Sequence, residues 1–111
     1  MHKKEIPQEE WKQFLESFNK QNKGKMAYIE ITDDEHYRRE YTESIAFDQI
    51  NMNVIDNQHV TMSITAGDGS PFKQFIDRID RINLLTANGT DKELHVFSSL
   101  GRGAVIRFHS L

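Results

Sequence analysis

Apolar residues first recur with a helical period. Trp11, Phe14, Leu15 and Phe18 stand at i, i+3, i+4 and i+7, one apolar stripe with polar residues on the other sides. Pro7 suits the first helical position, because it has no N–H to lose and its φ is already fixed. Glu9 and Glu10 then put negative charge in the first turn, while Lys20, Lys23 and Lys25 crowd the far end and Gly24 is a good stop. Residues 6–18 therefore predict an amphipathic helix, and burying each of its large apolar side chains is worth about 1.5–3 kcal/mol.

After Gly24 the period drops to two. Ala27, Ile29 and Ile31 alternate with Met26, Tyr28 and Glu30, predicting a half-buried strand over 26–32. A polar loop at Asp33-Asp34-Glu35-His36 and a mostly extended stretch over 37–48 follow. Residues 50–55 and 59–66 alternate again, and Asp56-Asn57 between them reads as a hairpin turn. Residues 72–85 fit two periods. Phe72, Phe75, Ile76, Ile79 and Ile82 make a helical stripe, slightly favoured by the count, but the same letters allow strands at 72–76 and 81–87. Asn88-Gly89 starts a turn, and strands at 93–98 and 103–109 close the chain, joined tightly between Gly101 and Gly103.

Composition makes this one domain over residues 1–111, an ordinary globular balance of 37% hydrophobic and 28% charged residues. No apolar run reaches the length of a membrane span, and no apolar segment follows the first residues as in an export signal. A cytoplasmic location is the expectation, and Asn88-Gly89-Thr90 is then a turn rather than a glycosylation site. With no cysteine, disulfides, thiolate metal sites and cysteine nucleophiles are excluded. The net charge of −3 and arginines interleaved with acids argue against nucleic acid as a partner.

Over nearly its full length the chain resembles a bacterial family of small single-domain proteins known only as a domain of unknown function. Ile6, Pro7, Glu10, Trp11, Phe14 and Leu15 carry its Ile-Pro-x-x-Glu-Trp-x-x-Phe-Leu helix. Ile45-Ala46-Phe47-Asp48 and Val105-Ile106-Arg107-Phe108 match further on. Two departures are Phe75-Ile76-Asp77-Arg78-Ile79, where the family has a connection with histidine and proline, and Leu-Gly-Arg-Gly where Asp-Gly is usual. The resemblance implies a small α+β fold with 72–82 extended, and it implies no activity.

Candidate chemistry lies mainly in the last hairpin. With its loop centred near Gly101-Arg102, His95 and His109 would stand on roughly opposing positions, on the face away from Leu94, Val96, Ile106 and Phe108. Such a pair could take a metal with a carboxylate, or act as acid and base, with Asp48 a possible acid. The structural reading, half-buried sheet histidines, is the commoner one. No third ligand is fixed by spacing, so neither metal nor cofactor is expected. Phe97, Val105 and Arg107 share that face, a mixture typical of an interface core. Asp33 to His36 lack the alternation and glycine of an EF-hand loop. The two glycine-rich turns match no phosphate-binding fingerprint, and no serine sits in a nucleophile elbow.

The resulting expectation is an α+β domain: an N-terminal helix packed on an antiparallel, curved sheet of five or six strands. Trp11, Phe14, Leu15 and Phe18 should meet Ile29, Ile31, Phe47, Ile64, Val96, Ile106 and Phe108 in the core. Its function reads as a non-catalytic interaction module that forms a homodimer through His95, Phe97, Val105, Arg107 and His109. The alternative is a small-ligand-binding or hydrolytic enzyme using His95 and His109.

Overall fold

The computed structural model describes residues 2–33, 38–41, 44–56 and 59–109. Pro7, at φ −57° and ψ 143°, stands just ahead of the helix rather than in its first turn. Gln8–Glu10 form a 3-10 turn, and the α-helix proper, α1, runs Trp11–Asn22. Trp11, Leu15 and Phe18 are buried, and Phe14 is partly buried against Phe18, their ring centroids 5.7 Å apart. The Trp11 indole N–H donates to the Ile6 carbonyl at 2.9 Å, so the ring enters the core without an orphaned donor. Gly24, at φ +85°, ends the helix as expected and donates its N–H to the Phe47 carbonyl.

The strands are β1 (His2–Glu5), β2 (Met26–Asp33), β3 (Arg38–Tyr41), β4 (Ile45–Asp56), β5 (His59–Ala66), β6 (Phe72–Ile76), β7 (Ile79–Ala87), β8 (Thr90–Ser98) and β9 (Arg102–Phe108). Every pairing is antiparallel. Eight strands follow the order β1-β7-β8-β9-β2-β4-β5-β6, and β3 pairs β2 beside them. The α+β class with an antiparallel sheet holds, but five or six strands is too few. Part of the excess is β1, which the sequence does not announce: all four residues are exposed and it is held by pairing to β7.

The ambiguous segment is extended. Residues 72–87 are β6 and β7, turning a corner at Asp77-Arg78, where Arg78 sits at φ +52°. Ile76, Ile79 and Ile82 are all buried because the corner interrupts the alternation, which is why their spacing imitates a helix. The turn at Asn88-Gly89 has two consecutive positive φ values, +53° and +75°, as a two-residue type I′ hairpin demands. The loop expected at 33–36 and the turn at Asp56-Asn57 fall largely outside the described residues.

β2 has β9 along one edge. Its other edge is shared: β4 takes Met26 and Ala27, and β3 takes Glu30 to Asp33. Beyond Ala46, β4 leaves β2 to pair with β5, with a bulge at Asp48. The edge that β4 thereby exposes is met by the helix. The Asn19 amide donates to the Ile50 carbonyl and accepts from the Ile50 N–H, each at 2.9 Å, as a neighbouring strand would. One core results. Ile29, Ile31, Ile64, Val96 and Ile106 line it, and Phe18 meets Phe47 and Phe108 with ring centroids 5.5 and 5.8 Å away.

Candidate functional site

Alternation decides what the sheet turns outward. Buried Leu94, Val96, Ala104, Ile106, Ile29 and Ile31 leave Glu93, His95, Phe97, Val105, Arg107, Tyr28 and Glu30 on the opposite face. The register then sets the rows: Glu93 faces Arg107, which faces Tyr28, and His95 faces Val105, which faces Glu30.

That register does not bring the two expected histidines together. Phe97 pairs Gly103, so the loop is centred on Leu100 rather than near Gly101-Arg102. His95 lies opposite Val105, and His109 follows four residues later, about 13 Å along the strand. Each has its own partners. His95 Nε2 is 3.1 Å from Glu93 Oε1. His109 stacks on Tyr28 at 4.5 Å between centroids, and its Nε2 lies 3.1 Å from Ser44 Oγ. Asp48 belongs elsewhere, at the bulge in β4, where it accepts from Ser70 and Thr65 hydroxyls at 2.8 and 2.9 Å. Those two bonds, with Lys23 nearby at 3.7 Å, hold its carboxyl below the usual value.

The face carries a charged network instead. Arg107 Nε donates to Glu93 Oε1 at 3.1 Å, and its Nη1 donates to Glu30 Oε2 at 3.3 Å. Glu30 is only 3% exposed, so the guanidinium matches a carboxylate largely withdrawn from water. Burial pushes the Glu93 carboxyl up, but hydrogen bonds from His95 and Arg107 outweigh it and hold it below its usual value. A carboxylate so held is a poor base, because both of its donors stabilise the ionised form. The arrangement orients side chains. Among the described residues no group of three His, Asp or Glu is suited to a metal ion.

Around this network, two pairs are already stacked. The Arg81 guanidinium lies 4.5 Å over the Phe97 ring, across a register pair of β7 and β8, and Tyr28 lies on His109. Tyr28 and Met26 are 48% and 44% exposed. Of the expected surface, Arg107 and His109 are exposed, while His95, Phe97 and Val105 are half-buried. Glu30, Glu93, Tyr28 and Arg81 were not foreseen as part of it. The alternation in 26–32 put Tyr28 and Glu30 outward, but their alignment with Arg107 needed the β2–β9 register.

A further polar cluster pins the fold. Asp77 Oδ1 accepts from the Thr61 hydroxyl at 2.7 Å and stands 3.1 Å from His59 Nε2, tying the β6–β7 corner to β5. The Thr61 bond is the main reason that its carboxyl sits below the usual value. No helix among the described residues is long and apolar enough to cross a membrane. No protein-family model, curated protein or solved structure matches this chain.

Proposed function

We propose that the chain is a non-catalytic interaction module whose outer β7–β8–β9–β2 face docks a protein partner, with a second copy as the occupant. The observation that carries this is the pair of prearranged stacks, Arg81 on Phe97 and Tyr28 on His109, flanking the anchored Arg107. Aromatic and arginine side chains dominate the binding energy of interfaces, and fixing them before association lowers the entropy cost of docking. The face also carries both signs of charge, so two copies related by a twofold axis can set Arg81 against Glu93. Membership of the small bacterial family that the helix motif resembles, and a cytoplasmic location, belong to the same proposal; neither adds a reaction.

Phe97→Glu removes the stacking platform and gives Arg81 a carboxylate within its own copy, in place of Glu93 across the twofold. Light scattering should report the doubled mass for the unaltered protein and the single-chain mass for the variant, with an unchanged circular dichroism spectrum. One mass for both proteins removes the hairpin face as the site of self-association.

A further inference from the structure

At the end of the sheet where α1 stops, a cavity of about 590 Å³ opens between the start of β2, the start of β8 and the end of β9. That volume is in the range of small-molecule sites. Its lining includes the apolar side chains Phe108 and Met26 and two lysines, Lys25 and Lys92.

Lys25 is exposed, but its ammonium has a buried partner. Asn22, with no exposed surface, directs its Oδ1 at the Lys25 ammonium at 2.9 Å. Its Nδ2 is held by the Phe18 carbonyl at 3.0 Å and by Asp91 Oδ2 at 2.9 Å. A fully buried amide thus fixes the ammonium 5.8 Å above the Phe108 ring. One of its three N–H groups is then engaged by Asn22, and two are left for another acceptor. Among the described residues the only carboxylate on the wall, Asp91, already accepts from Asn22. Lys92 has no acceptor among the described residues.

We propose that this cavity binds a small organic carboxylate with an apolar body, its head between Lys25 and Lys92 and its body on Phe108 and Met26. The two ammonium groups against one engaged acid favour an anion, and the ring and thioether favour a hydrocarbon or aryl group over a bare inorganic ion. His109 borders both this cavity and the proposed dimer face, but neither lysine belongs to that face, so Lys92→Gln tests the cavity alone.

The test is an amide NMR titration of the full chain with 4-phenylbutyrate, 4-phenylbutanol and 4-phenylbutylamine, which share one body and differ in the head. The carboxylate should shift the amides of residues 24–26, 90–92 and 108–109, binding about tenfold more tightly than the alcohol and the amine. Lys25→Gln and Lys92→Gln should each weaken it about tenfold, and the remote Lys73→Gln should leave it unchanged. If Lys25→Gln perturbs the fold through Asn22, Lys92→Gln alone decides. No shifts by about 10 mM ligand overturns the proposal. So does equal binding of the three ligands, or indifference to Lys92→Gln.

Discussion

Asn19 offers the sharpest test of how the helix is joined to the sheet. Its side chain satisfies both backbone groups of Ile50 at 2.9 Å, where β4 has left β2. Asn19→Ala leaves that N–H and that carbonyl without a protein partner. Each lost bond costs about 1–1.5 kcal/mol, giving about 2–3 kcal/mol in all. Alanine's higher helix propensity returns about 0.5 kcal/mol, so the net loss should be about 2 kcal/mol. An unfolding entropy of about 2.1 cal/mol/K per residue over 111 residues comes to about 0.23 kcal/mol/K, so the midpoint should fall by about 9 °C.

Urea unfolding followed by circular dichroism measures the loss, with an unchanged slope as the sign that the two states themselves are unaltered. Asn19→Asp adds a pH signature. A carboxylate can still accept from the Ile50 N–H but repels the Ile50 carbonyl, so folding raises the pKa of the new acid. Relative to the unaltered protein, this variant should be as stable in acid and fall behind as pH rises above about 4, the ordinary aspartate value. A loss under about 0.5 kcal/mol for Asn19→Ala would refute the idea that the helix stands in for a strand at this point.

Gly67 has φ +88°, and a Cβ there would meet Pro71 Cδ at 2.8 Å, so Gly67→Ala should destabilise by more than about 1 kcal/mol in the same assay. Asp48, Asp77 and Glu93 all sit below their usual 3.8, 3.8 and 4.5, so their stabilisation is fully present above those values and is lost as pH falls through the folded ones. The loss of stability below about pH 3.8 should therefore be shallower in Asp48→Asn, read from urea midpoints across that range. Ile106→Ala, at a site with no exposed surface, should cost about 2–5 kcal/mol by the same measurement.

Much of the fold was legible because burial and period coincide. The stripe of Trp11, Leu15 and Phe18 has one wet side and one dry side, and so do 26–32, 59–66 and the last hairpin. Two places resisted for physical reasons. β1 is exposed along its length, so hydrophobic patterning cannot reveal it. The Asp77-Arg78 corner resets the alternation in mid-segment, leaving isoleucines at helix-like intervals.

The outward face was foreseen in kind but not in arrangement. Its residues follow from strand parity, whereas its partners follow from register. Moving the hairpin centre to Leu100 separates His95 from His109 and sets Arg107 opposite Glu93. Glu30 joins them only because β2 pairs β9, a contact between chain segments far apart in sequence. The cavity beside Lys25 has the same origin, since three distant segments and a buried asparagine meet there.

The central claim is that the face bearing Arg81–Phe97 and Tyr28–His109 holds two copies together. Native mass spectrometry of the unaltered chain tests it most directly. The account predicts a species at twice the 13.0 kDa chain mass that dissociates on dilution. A single-chain mass that persists up to about 0.5 mM, well above the micromolar range of specific weak dimers, would contradict it.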